Sequence, residues 1–249
     1  MEILAGFTAL QIGAAVLATF VSAFVRGLAG FGMAILLVPI LALALTPIEA
    51  VLLTNVLAFL IGFSEIRTIL REAEQSALVI GALVLVATAP GLIALAATPE
   101  NLARFLIALV ALSAFGAILL PQRAAAQPGP FATGAVGISS GLLTGFAGMP
   151  GPPVVPYYVG RSIPRITAKA SMLLIFTIAA FAGLGSGVAI GVMEWRLLVF
   201  GLLLFPAVLI GNWLGAKAFG KVSDGLWRGF VAFTLAAAAL AALAKLLQS

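Results

Sequence analysis

The chain has 249 residues, of which 63% are hydrophobic and 8% charged, with a mean hydropathy of +1.25 and a formal net charge of +5. A water-facing surface needs about a quarter charged residues, so a soluble globular fold is excluded and most of the surface must meet lipid. Cysteine and histidine are both absent, which removes disulfides, thiolate and imidazole metal sites, and Ser/His or Cys/His nucleophiles.

In chain order, apolar runs fall at residues 8–29, 31–46, 48–66, 76–97 and 101–120. A polar stretch from Pro121 to Pro130, with prolines also at 128, breaks the series. A second set follows at 131–148, 150–160, 167–190, 195–218 and 224–247. A crossing takes about 20 apolar residues, so the runs predict an all-α polytopic membrane protein of about eight full crossings plus short segments, 8–10 in all. The first run has Glu2 ahead of it and no basic cluster, which reads as a retained span and not a cleaved signal. The predicted organisation is a first transmembrane repeat (1–120), a cytoplasmic linker (121–130) and a second transmembrane repeat (131–249).

The two sets align. Ser22, Gly27, Ala29 and Gly30 precede Ser140, Gly145, Ala147 and Gly148 by 118 residues, and T-P-E-N-L-A-R (98–104) precedes V-S-D-G-L-W-R (222–228) by 124. Two matches in the same order point to duplication with a short insertion. Basic residues favour the cytoplasmic side of short loops. With the loop of Arg67 and Arg71 inside, alternate crossings also place Arg123, Arg161, Arg165, Lys169, Lys217, Lys221 and Arg228 inside. Only Arg104, Arg196 and Lys245 fall outside, and equivalent loops of the two halves lie on opposite sides. The expectation is two inverted repeats with both termini outside, an arrangement secondary transporters use for alternating access. Thirteen basic residues dispersed between apolar runs cannot track a phosphate backbone, so no nucleic-acid partner is expected.

The second run of each half is too short to span a core of about 30 Å. The breaks before them are Gly27-Leu28-Ala29-Gly30-Phe31-Gly32 and Gly145-Phe146-Ala147-Gly148-Met149-Pro150-Gly151. Broken backbone inside a membrane must be covered by protein or line a cavity, and the N-terminus of a half-helix presents free N–H groups to an anion. The same glycines would also serve close helix packing. Arg26, beside the first break, is a charge late in an apolar run. It either snorkels to an interface or has a partner or ligand, and its guanidinium suits two oxygens of a sulfonate, sulfite or carboxylate. Thr144 takes its place in the second copy. Asn55 opens the third run, beside the broken pair, and cannot satisfy its amide on its own helix. The candidate substrate-binding set is Arg26, Gly30, Phe31, Gly32, Met33, Asn55, Thr144, Gly148, Met149, Gly151 and Ser171, with no catalytic, cofactor or metal residue. Tyr157 and Tyr158 suit an interfacial belt. Glu65, near Arg67, reads as an interfacial charge, and proton coupling would need a carboxylate such as Glu49 or Glu65.

The runs G-L-A-G-F-G-M-A-I-L-L-V-P (27–39) and G-F-A-G-M-P-G-P-P-V-V-P (145–156) resemble the TauE/SafE sulfite exporter family, also called the toluenesulfonate uptake permeases, over nearly the whole chain. Phe31, Met33, Met149 and Pro150 interrupt the glycine clusters typical of the family. The resemblance implies transport of sulfite, sulfoacetate or other organosulfonates, commonly outward, across a bacterial inner membrane. The partners are then a small anion and the lipid bilayer, with the chain a monomer or homo-oligomer and no cofactor beyond a proton or ion gradient. A passive anion channel and a non-transporting assembly subunit are the alternatives.

Overall fold

The computed structural model describes residues 7–29, 31–119, 128–159, 161–218 and 224–248. Among them the chain is helical without strands. The first half holds α1 (Ala9–Ala29), α2 (Met33–Ala44), α3 (Pro47–Ser64), α4 (Ile66–Glu72), α5 (Gln75–Ala97) and α6 (Glu100–Leu119). The second holds α7 (Pro130–Ala147), α8 (Gly151–Val159), α9 (Arg165–Ala189), α10 (Trp195–Ala218) and α11 (Asp224–Leu247). Of these, α1, α3, α5, α9 and α10 are long and apolar enough to cross a bilayer, fewer than the expected eight. Gly30, linker residues 121–127 with Arg123, and Lys221 lie outside the described residues, as does the side chain of Arg228.

Local chemistry sets the boundaries. Thr46 and Glu49 form a reciprocal capping box ahead of α3, with Pro47 in its first turn. Pro130, the end of the expected linker, opens α7 at a position where its missing N–H costs nothing. α4 answers to no apolar run, because Arg67, Arg71 and Glu72 interrupt it. It forms because Ile69 is fully buried where α4 packs on α9.

The halves interlock through reciprocal contacts. α1 lies along α10 and α5 along α7, and α3 crosses α9. Gly27 sits on the Asn212 carbonyl of α10, and Gly145 sits on the Thr88 carbonyl of α5. Gly215 meets the Phe24 carbonyl, and Gly91 meets that of Leu142. Gly62 takes the Thr177 side chain, and Gly183 takes that of Asn55. Between the halves, α1 positions shift by 118 residues, α3 positions by 121 or 122 and α5 positions by 124. A Cβ at any of these six glycines would overlap its neighbour. Such contacts hold helices together where lipid supplies no hydrophobic drive.

Polar bonds sort the helix ends onto two faces. Gln11 donates to the Ala44 carbonyl at 2.7 Å and Lys245 to that of Leu43 at 2.9 Å, so the start of α1 and the end of α11 share a face with the end of α2. Arg104 caps the same end of α2 through the Ala42 and Leu45 carbonyls, and Arg196 reaches Glu49 there at 2.7 Å. On the opposite face Arg161 pairs with Glu74, tying the α8–α9 turn to the start of α5. α1 and α2 therefore form a hairpin, and α2 returns to the face where α1 began.

Candidate functional site

The two breaks meet inside the molecule. Gly32 precedes α2 at φ 96° and Gly148 ends α7 at φ 65°, both in the left-handed region that favours glycine. α2 and α8 have 12 and 9 residues, so they are about 18 and 14 Å long. Neither length reaches across a hydrocarbon core of about 30 Å. The α7–α8 turn lies against the middle of the α2–α3 pair, where Gly148 faces Val38 and Val51.

Between these turns lies a cleft of about 730 Å³, its open mouth included. The walls are mostly apolar, with Phe31, Ile35, Ile61, Met149, Leu173 and Phe176 among them. The polar side chains in the lining are those of Arg26, Asn55 and Thr177, and no carboxylate is among them. Thr177 spends its hydroxyl on the Leu173 carbonyl at 2.8 Å. Asn55 is 2% exposed, and its Nδ2 has no hydrogen-bond partner among the described residues. Gly183 leaves the room that its amide occupies. An unmade bond of this kind costs about 1–3 kcal/mol.

Backbone donors come chiefly from the first copy. The N–H groups of Met33, Ala34 and Ile35 open α2 ahead of its own ladder, and all three residues line the cleft. In the second copy the Gly148 N–H is bound to the Thr144 carbonyl and the Met149 N–H to that of Leu143. Pro150, Pro152 and Pro153 have no N–H, so Gly151 is what the second break adds.

Arg26 is 8% exposed and does not snorkel. It donates from Nη1 to Asn212 Oδ1 at 2.8 Å and forks onto Glu65, at 3.4 Å from Nη1 and 3.2 Å from Nη2. Glu65 is thus one arm of a half-buried ion pair with α1.

Of the residues singled out in the sequence, Arg26, Phe31, Gly32, Met33, Asn55, Gly148, Met149 and Gly151 come together in this cleft. Thr144 and Ser171 do not line it. Thr144 donates to the Ser140 carbonyl one turn back at 2.7 Å, and Ser171 accepts the Glu74 N–H at the start of α5 at 3.0 Å. Tyr158 is buried, its Oη 2.7 Å from Ser76 Oγ, and Arg161 lies over the rings of Tyr157 and Tyr158. The two tyrosines, expected in an interfacial belt, form a polar cluster with Ser76 and Arg161 at the second face. Sequence reading missed the α9 wall of Leu173, Phe176, Thr177 and Ala180, although its i, i+3, i+4, i+7 spacing lays it on one helical face.

An apolar cleft whose charged lining, among the described residues, is a guanidinium and no carboxylate suits an anion. The sulfite exporter TauE/SafE family model matches residues 15–242. The chain belongs to the TauE/SafE family. No curated protein and no solved structure matches it. Membership makes it a membrane protein of a transporter family, in keeping with its apolar helices.

Proposed function

We propose that the chain is a secondary transporter that exports sulfite or small organosulfonates by alternating access around this cleft. One observation carries the reading: Asn55, whose buried amide nitrogen has no hydrogen-bond partner among the described residues, lines a cleft together with Arg26 and the N-terminal amides of α2. The anion would take its hydrogen bonds from Asn55 Nδ2 and the Met33–Ile35 amides, with Arg26 supplying the balancing charge. The apolar walls would cover the remainder of an organosulfonate.

The exchanged glycine contacts support two inverted copies, in which α6, α7 and α11 complete eight crossings and α2 and α8 are half-helices. The face of Arg67, Arg71, Arg161, Arg165, Lys169 and Lys217 would be cytoplasmic in a bacterial inner membrane, with both termini outside. Export would draw on a proton or ion gradient.

Reconstitution into liposomes tests this, with sulfite, sulfoacetate, taurine and sulfate as substrates. The purified protein is expected to give trans-stimulated flux of sulfite or a sulfonate, and Arg26→Ala to abolish it. Electrodiffusive flux without countertransport would make the protein a channel. Undiminished transport by Arg26→Ala would remove that residue from the site.

A further inference from the structure

We propose that Glu65 is an internal competitor for the transported anion, holding Arg26 when the cleft is empty and yielding it when the anion arrives. This rests on the reading of Arg26 as an anion ligand. Arg26 lines the cleft and Glu65 does not, so the guanidinium stands between a carboxylate on one side and the substrate space on the other.

The geometry of the pair is that of an exchangeable ligand. Two carboxylate oxygens meet two guanidinium nitrogens, and a sulfonate, a sulfite or another carboxylate presents the same pair of oxygens. A buried guanidinium stripped of every counter-charge is strongly disfavoured, whereas trading one oxyanion for another leaves the local charge unchanged. The two partners differ in their access to water. The Arg26 side chain is 9% exposed, and that of Glu65 is 29% exposed. Glu65 can therefore swing into solvent while Arg26 stays.

Its own helix does not retain Glu65. It is at once the C-cap residue of α3 and the N-cap residue of α4, two helix ends of opposite sign, and its carboxylate makes no cap hydrogen bond, so its side-chain partner among the described residues is Arg26. Asn212 remains on Arg26 Nη1 at 2.8 Å and would keep the guanidinium aimed during the exchange. Arg26 is then paired with one oxyanion in the empty carrier and with one in the loaded carrier, where the charge of Glu65 is taken up by solvent. Glu65 sets how tightly the anion is held, because the anion must displace it.

The test is isothermal titration of the purified full-length protein with sulfite and, separately, methanesulfonate, across wild type, Glu65→Gln and Arg26→Gln. If the pair is formed nine-tenths of the time, removing the competitor tightens binding about tenfold. Glu65→Gln is expected to show that gain, together with slower net flux in liposomes from slower release. Equal or weaker binding by Glu65→Gln, with Arg26→Gln still losing the anion, overturns the competition while the site itself stands. Binding by Arg26→Gln equal to wild type overturns the anion site and this proposal with it. Should Glu65→Gln not survive purification, Glu65→Asp carries the test. Its shorter carboxylate weakens the fork and should also tighten anion binding, and equal or weaker binding overturns the proposal.

Discussion

Replacing Asn55 with leucine should move stability and binding in opposite directions. In the empty protein Asn55 Nδ2 is buried without a partner, a defect worth about 1–3 kcal/mol. Leucine shares the branching of asparagine and is larger, with the cleft beside it to take the extra volume, and it removes the orphan donor, so the empty variant should unfold at the same temperature as wild type or higher. In the loaded protein the same amide would donate to an anion. A hydrogen bond to a charged group contributes about 1.5–3 kcal/mol, so its loss should weaken sulfite or methanesulfonate binding roughly tenfold to a hundredfold. Thermal unfolding in detergent gives the first quantity and isothermal titration the second. Asn55→Asp, which sets a negative charge in the lining of the cleft, should abolish binding. The reasoning is refuted if Asn55→Leu lowers the unfolding temperature and leaves affinity untouched, since Asn55 would then be a packing residue against Gly183 whose amide meets no ligand.

Two further predictions concern the scaffold. Gly91→Ala and Gly215→Ala each drive a methyl into a carbonyl on the facing helix, and should cost comparable stability, about 1–3 kcal/mol each. Gly13→Ala and Gly134→Ala meet nothing within 4 Å and should leave thermal unfolding unchanged or raise it slightly, so equal effects at all four positions would discount the glycine contacts. The two halves are also tied at one face by Arg196 and Glu49 and at the other by Arg161 and Glu74. Arg161→Gln should therefore speed maleimide labelling of a thiol introduced by Thr177→Cys, a clean readout because the native chain has no cysteine. An unchanged labelling rate would mean that the Arg161 pair does not restrain access to the cleft.

How much of this was legible in the sequence depends on whether a feature is local. The breaks at Gly32 and Gly148 were readable because an apolar run of fewer than twenty residues after a glycine cluster has few other meanings. Hydropathy alone placed ten of the helices, but α4 escaped because its charges hid the single buried Ile69. The need for a partner at Arg26 was readable from the cost of burying its charge, but the identities were not. Glu65 lies 39 residues away and Asn212 lies 186 away, and only the crossing of α1 with α10 makes the second a neighbour. Ser171 shows the reverse error. A hydroxyl within an apolar run suggested a site donor, but the start of α5 folds back over α9 and uses it as a cap. Donor counting at the second break likewise needed coordinates, because the Gly148 and Met149 amides are consumed in closing α7.

The scaffold repeats itself where the site does not. Asn212 and Thr88 occupy equivalent places against Gly27 and Gly145, and Arg26 and Thr144 precede those glycines. In one copy the pair is Arg26 with Asn212, bonded across two helices. In the other both positions are threonine, and each hydroxyl turns back on its own helix, Thr144 to Ser140 and Thr88 to Val84. The C-cap of α3 is Glu65 and that of α9 is Ile190, so the competing carboxylate has no counterpart either. On the proposed mechanism, backbone contacts would have to match for two inverted copies to exchange conformations at low cost. A charged arginine in each copy would instead place two cations around one small anion and require a second carboxylate when the cleft is empty. One arginine, one competitor and an uncharged mirror position fit a single monovalent headgroup, whose charge would lie toward α1 and the end of α3.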